Sequence, residues 1–174
     1  MSGKSEMTHK MESFLANEEY VNPLEPVITM GAAAKMLDIS VSMLRKYEAE
    51  GLMIYYRTET GRRMLCQEDI MRIKLLRNLN KVRGINFEGI RRLMALLPCW
   101  ELRPCSEEQK ANCAFLRDSS KPCWTLKDTQ CAKMGADCRT CEVYRIGAYC
   151  TEDIKALVHS EVTSKKDIDT MEKP

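Results

Sequence analysis

The chain of 174 residues has no long apolar run. None of its segments approaches the roughly 18 consecutive apolar residues of a membrane-spanning helix, so it offers no candidate span and no membrane partner. Met1-Ser2-Gly3-Lys4-Ser5-Glu6 leads into no apolar stretch of the kind that opens a secretory signal, and the expected location is cytoplasmic. Aromatic residues make up only 6% of the chain, so any core must be built mostly from Leu, Ile, Met and Val. Histidine is nearly missing, with His9 and His159 far apart. The folded part offers no nucleophile–base pair, no glycine loop that would cradle a phosphate and no paired carboxylates. An enzyme is therefore not expected, and a zinc hydrolase or deaminase would also want His or Glu ligands and an open coordination position.

Positive charge and cysteine are what the chain concentrates. The net charge is only +2, but it is unevenly placed. Residues 26–98 carry thirteen Lys and Arg against seven Asp and Glu, whereas residues 1–25 and 151–174 are net acidic. A basic segment of this kind replaces counterions on nucleic-acid phosphates. Eight of the nine cysteines fall between residues 99 and 150. In a reducing compartment such a set points away from a disulfide framework.

These shifts divide the chain into four. Residues 1–26 are polar and acidic and read as a disordered arm closed by Pro23 and Pro26. Residues 27–98 read as a winged helix-turn-helix. Residues 99–150 form a small cysteine-rich unit, and residues 151–174 a short helix with a charged tail. The expected fold class is mainly α: four helices with a two-stranded wing, followed by a metal-stabilised domain.

Within 27–98 the local signals are consistent. Ala33, Ala34 and Leu37 share one face of a helix over 30–38. Asp38-Ile39-Ser40 makes a turn, with Ser40 as N-cap of a second helix over 41–50 and Gly51 as its C′ residue. Thr60-Gly61 marks a turn between an outgoing strand over 53–56 and a return over 63–65. A third helix over 67–83 carries the stripe Ile70, Ile73, Leu76, Leu79 and ends at Gly84. Asn86 caps a fourth over 87–97, with Ile90, Leu93, Met94 and Leu97 inward and Pro98 at its end. Met36, Met43 and Met94 read as core, and Cys66, at the start of the third helix, as structural.

Residues 28–97 resemble the DNA-binding domain of the MerR family of transcription regulators. The resemblance rests on Gly31-Ala32-Ala33-Ala34, Ile39-Ser40, Leu44-Arg45, Tyr47-Glu48, Gly51-Leu52, Arg57, Gly61, Arg63, Glu68-Asp69 and Ile90-Arg91, in the family's order and spacing. It implies that Arg45 and Tyr47 face the major groove and flanking phosphates of promoter DNA, and that Arg57 and Arg63 grip the backbone across a wing turned at Gly61. Arginine is the best bidentate partner for guanine or phosphate. Lys46 and Arg62 stand where the family usually has aromatic residues, and both add charge to the DNA-facing set. The plain alternatives are a surface ion pair of Arg45 with Glu48 or Glu50, and packing of Tyr47 against the wing. The resemblance also implies a homodimer and RNA polymerase as a further partner. Family members continue into a long pairing helix, but here Pro98-Cys99 follows at once. Pairing is left to the 151–168 helix or the cysteine region.

The cluster comprises Cys99, Cys105, Cys113, Cys123, Cys131, Cys138, Cys141 and Cys150. All-sulfur ligation suits an iron–sulfur cluster or zinc. An iron–sulfur centre ranks first, structural zinc second, a thiol–disulfide switch third and inert packing last. Pro98-Cys99-Trp100-Glu101-Leu102-Arg103 is echoed by Pro122-Cys123-Trp124-Thr125-Leu126-Lys127, so the region reads as a duplicated unit. It resembles the paired Cys-Trp modules of signalling proteins from anaerobic bacteria. Trp100 and Trp124 are placed to shield sulfurs, and Arg103, Lys110, Arg117, Lys121, Lys127 and Arg139 to offset thiolate charge. The expected function is a sequence-specific DNA-binding regulator whose cysteine region senses redox state or metal, coupled through Leu97-Pro98-Cys99. The alternatives are a redox or electron-transfer protein whose helix-turn-helix docks to protein, and a regulator with purely structural zinc.

Overall fold

The computed structural model describes residues 22–103, 105–117 and 120–147. The expected helix over 151–168, Cys150 and most of the expected arm lie outside the described residues. The last part of the arm is ordered: the Pro23 carbonyl accepts the Glu68 N–H at 3.2 Å. The first N–H groups of a helix lack internal partners, and here the incoming chain supplies one. The expected disorder is therefore corrected for residues 23–26, which are held to the body of the domain.

Strand β1 (Ile28–Thr29) leads into α1 (Met30–Leu37). The Thr29 hydroxyl caps α1 by accepting the Ala32 N–H at 3.2 Å. Asp38 closes it with φ 50, a left-handed conformation that Asp tolerates better than most residues. Ser40 caps α2 (Val41–Ala49) through the Met43 N–H at 3.1 Å, as its position predicts. Gly51, with φ +70, reverses the chain after α2.

The wing has a third strand. β2 (Tyr56–Arg57) and β3 (Arg63–Leu65) pair antiparallel, and β1 takes the other edge of β3, with Ile28 opposite Leu65 and Thr29 opposite Met64. The expected outgoing strand over 53–56 is corrected accordingly. Met53 and Tyr55 are buried in the core, and the Tyr55 hydroxyl donates to the Leu44 carbonyl at 2.9 Å. That bond draws the segment beneath α2 instead of into the sheet.

α3 (Gln67–Arg77) begins where the Asp69 carboxylate accepts the Cys66 N–H at 3.0 Å. It runs into a π-helical turn over Asn78–Val82, so the expected single helix to residue 83 is interrupted. Asn80 closes the turn by donating to the Ile85 carbonyl at 3.0 Å. Asn86 then caps α4 (Phe87–Ala95). Ala33, Leu37, Leu44, Leu52, Leu65, Ile70, Ile73, Leu76, Leu79, Ile90 and Met94 form one core. Met36 is corrected: it is 54% exposed, because it falls about a quarter-turn off the Ala33–Ala34–Leu37 stripe.

The cysteine-rich part is a succession of single turns: α5 (Cys99–Leu102), α6 (Glu107–Ala111), α7 (Ala114–Arg117), α8 (Gln130–Lys133) and α9 (Glu142–Ile146). Tighter 3₁₀ turns lie at Cys123–Thr125 and Cys138–Thr140. Helices of this length are unstable alone, and the buried apolar side chains among them are few, chiefly Phe115, Val143 and Tyr144. No helix among the described residues is long and apolar enough to cross a membrane.

Candidate DNA interface and sulfur-lined cavity

The two faces of α2 have opposite characters. Leu44 and Tyr47, three residues apart, are buried, while Arg45 and Lys46 are exposed. Arg45 opens on a groove with Thr29, Met30, Gly31, Gly61, Arg62, Arg63 and Met64. Four of the seven residues expected to meet DNA thus share one concavity, between α1, α2 and the wing. Gly61 takes φ +77, which the wing turn requires.

Tyr47 does not belong to that surface, and the expectation is corrected. It is 3% exposed, its ring packs against Phe87 with centroids 5.5 Å apart, and burial raises its hydroxyl pKa. Its spacing from Leu44 places it on the inward face. Lys46 lies with its ammonium 5.3 Å from the Phe87 ring centroid.

Glu48 ties the second helix to β2 and β3 of the wing. It accepts from Arg57 Nη2 at 2.9 Å and from Arg63 Nε at 2.7 Å. Glu50 pairs with Arg91 at 2.5 Å. These carboxylates therefore serve the wing and α4, and neither pairs with Arg45.

In the cysteine-rich part, Cys99, Cys105, Cys113, Cys123, Cys131 and Cys141 line a single cavity. Trp100, Phe115 and Val143 supply apolar wall, and Arg103 and Lys110 are the cations on it. Among the described residues no carboxylate or imidazole lines it, so its donor set is soft. The described cysteines are free thiols. Burial, reinforced by Cys113, Cys105, Cys131 and Cys141, pushes the Cys99 thiol up to about 12. Burial also raises Cys123, with Cys99, Cys131, Cys138 and Cys141 adding to it. Crowded sulfurs of this kind resist carrying charge together unless a cation relieves them. The cavity therefore fits a thiophilic metal centre.

The sulfurs are spread over the wall instead of gathered at a point. Among the described residues no three His, Cys, Asp or Glu side chains are arranged to hold one metal ion. Arg103 Nη1 lies 3.7 Å from Cys141 Sγ. Cys138 is off the lining, yet Cys131 and Cys141 are near enough to raise its thiol after burial has done so. Cys66 is fully buried elsewhere, with Arg145 Nη1 3.6 Å from its sulfur.

The two tryptophans part company. Trp100 lines the cavity, and Trp124 does not. Trp124 turns to the helix-turn-helix and donates from Nε1 to the Gly51 carbonyl at 2.8 Å. The expected shielding role is thus corrected for Trp124. Its ring meets Tyr144 edge-on at 5.2 Å, and the Tyr144 hydroxyl accepts the Ile54 N–H at 2.8 Å. Arg72, 2% exposed, lies beneath both rings, 4.0 Å from the Tyr144 centroid and 5.2 Å from Trp124. It donates to the Leu52 carbonyl at 3.1 Å and also to the Tyr144 carbonyl. Arg145 pairs with the buried Asp69 at 2.9 Å. Arg139, expected to offset thiolate charge, instead stacks over Tyr56 of β2 at 4.8 Å.

Arg72, Tyr144 and the Arg145–Asp69 pair escaped the sequence reading. One signal was present: Arg72 lies four residues before Leu76, on the apolar stripe of α3. A charge on a core stripe points to a partner from elsewhere in the chain.

Comparison with known proteins agrees with this geometry. Residues 28–97 match the family model described as MerR HTH family regulatory protein. The HTH-type transcriptional regulator ZntR of Escherichia coli, strain K12, is 28% identical over 132 residues, spanning 68% of this chain and 93% of that protein. Its counterpart in Escherichia coli O157:H7 matches to the same extent. No solved structure matches the chain significantly. Residues 28–97 are a MerR-family helix-turn-helix domain, and the chain is a homologue of a transcriptional regulator.

Proposed function

We propose that this protein is a sequence-specific regulator that binds promoter DNA through residues 27–98 and senses metal or redox state through residues 99–150. The observation that carries the reading is that six cysteine sulfurs line one cavity in a unit hydrogen-bonded to the end of α2. Arg45, Arg62 and Arg63, around Gly61, supply the groove for DNA. Arg57 joins them from the outer strand, and Lys46 flanks the helix. Base contacts from Arg45 would specify sequence, and wing contacts to phosphate would set position. The protein acts in the cytoplasm as a homodimer, with RNA polymerase as the partner on the promoter.

Cys99, Cys105, Cys113, Cys123, Cys131 and Cys141 would hold the centre, with Cys138 and Cys150 as the remaining candidates. An iron–sulfur cluster is favoured over a single zinc. One tetrahedral zinc takes four ligands, whereas six cysteines line this cavity. The bound centre supplies a response to oxidation or metal supply. Around it, Arg103 donates toward sulfur, and Trp100 and Phe115 exclude water.

The deciding measurement is the visible spectrum, with iron, sulfide and zinc content, of protein purified without oxygen. Iron and sulfide with absorption that bleaches in air would support redox sensing. A colourless protein with zinc would make the cysteine unit structural or metal-sensing. Metal-free protein with unchanged DNA affinity would overturn the sensor. Arg45→Ala should weaken DNA binding and flatten its salt dependence. Salt-independent association with DNA would instead favour protein docking.

A further inference from the structure

Two short segments of the cysteine unit each present a cysteine to the cavity and an aromatic residue to the DNA-binding domain. In the 3₁₀ turn Cys123–Thr125, Cys123 lines the cavity and Trp124 bonds the Gly51 carbonyl. At the start of α9, Cys141 and Val143 line the cavity, while Tyr144 takes the Ile54 N–H. Gly51 and Ile54 bracket the chain between α2, which carries Arg45, and β2 of the wing, which carries Arg57. Arg72 joins the two contacts from beneath, holding the carbonyls of Leu52 and Tyr144 and facing both rings.

The packing leaves this junction little slack. A Cβ on Gly51 would lie 2.7 Å from the Thr125 methyl. A Cβ on Gly147, just after α9, would lie 2.8 Å from a Leu97 methyl and 3.5 Å from the Trp124 ring. Any displacement of Cys123 or Cys141 must therefore move Trp124 or Tyr144, and these must move the 51–54 connection or break their bonds to it. Close-packed interiors transmit such shifts because they have no voids to absorb them.

We propose that Trp124 and Tyr144 are the positioning residues through which the state of the sulfur-lined cavity sets the angle between the recognition helix and the wing. The inference rests on the reading of the cavity as a metal or cluster site. It differs from coupling along the backbone at Leu97-Pro98-Cys99, because it acts through side chains on a segment over 40 residues earlier in the chain. Trp100 shows the contrast. It occupies the same place in the other Pro-Cys-Trp copy and lines the cavity.

The test uses full-length protein purified without oxygen. It is compared with the same protein stripped by a chelator under reductant, and reloaded with ferrous iron and sulfide or with zinc. DNA affinity is measured on a duplex that the unaltered protein selects from a random pool. Allosteric couplings typically span about 5- to 150-fold, and a loaded-to-stripped ratio in that range is expected for the unaltered protein. Trp124→Phe and Tyr144→Phe should keep metal content and absorption but bring the ratio to about one. Val82→Ala, exposed and outside both the cavity and the junction, should keep the ratio. Hydrogen exchange at the Ile54 amide should respond to loading in the unaltered protein and not in Tyr144→Phe. Ratios unchanged in both Trp124→Phe and Tyr144→Phe would overturn this route while leaving the sensor intact. Loss of the metal itself in those variants would also overturn it, since they would then be serving the centre alone. A ratio of one in the unaltered protein would overturn the sensor reading and the route with it.

Discussion

The two halves of this molecule solve the problem of staying folded by different means. Residues 28–97 bury a continuous set of Leu, Ile, Met and Ala side chains, from Ala33 to Met94, and cap their helices with Thr29, Ser40 and Asn86. Residues 99–147 have single-turn helices and a small apolar cluster around Leu97 and Val143. At their centre is a cavity walled by sulfur. The first half draws on the hydrophobic effect, which is always present. The second has few buried apolar side chains, and under the proposed reading a metal would complete it, since metal binding in such a unit is folding energy. On that reading the division would suit a regulator, because only the half proposed to respond would depend on the signal.

The largest expected effect comes from removing the metal. Chelation under reducing conditions should release amide protection across 99–147 and leave α1 to α4 protected, as followed by hydrogen exchange. Equal loss in both halves would break the comparison. Next, the Arg145–Asp69 pair bridges the halves with Asp69 only 1% exposed. Asp69→Ala strands a buried guanidinium, and breaking a buried pair costs about 3–5 kcal/mol. Urea denaturation should show that loss, and a change under 1 kcal/mol would mean that the bridge behaves as a surface contact.

Function should separate along the same line. Arg45→Ala should weaken binding to the selected duplex about ten- to hundredfold and lower the salt slope by about one, with metal content unchanged. A drop in metal content would show that the halves are not separable in this sense. Cys66 offers the reverse contrast. It is fully buried and lies against Arg145 instead of the cavity, so Cys66→Ser should bind as much metal as the unaltered chain by elemental analysis. The smallest effect is local to the first half: Ser40→Ala removes the cap of α2 and should cost about 1 kcal/mol in thermal or urea unfolding.

Most of the helix-turn-helix was legible because its signals are local. Ser40, Gly51, Asn86 and the Ile70–Ile73–Leu76–Leu79 stripe each act over a few residues, and all took their expected places. The errors arose where a distant segment intervened. β1 joined the wing from before α1. Tyr55 was drawn inward by the Leu44 carbonyl. Tyr47 matches a DNA-facing position by resemblance, but its spacing from Leu44 places it inward. The cysteine cluster was legible as chemistry, since eight thiols without histidine specify a soft donor set. Its geometry was not.

The sequence by itself determined where the helices of the helix-turn-helix start and which residues cap them, the basic groove residues and the soft donor set of residues 99–150. Those properties follow from side-chain type and short-range spacing. Only the tertiary structure decided which six cysteines share a cavity and which way each tryptophan turns. It alone placed Arg72, Asp69, Tyr144 and Arg145 between the two halves. Two copies of the same Pro-Cys-Trp motif point one ring at the sulfurs and the other at Gly51. No local rule distinguishes them, because their surroundings are set by contacts with residues far away in the chain.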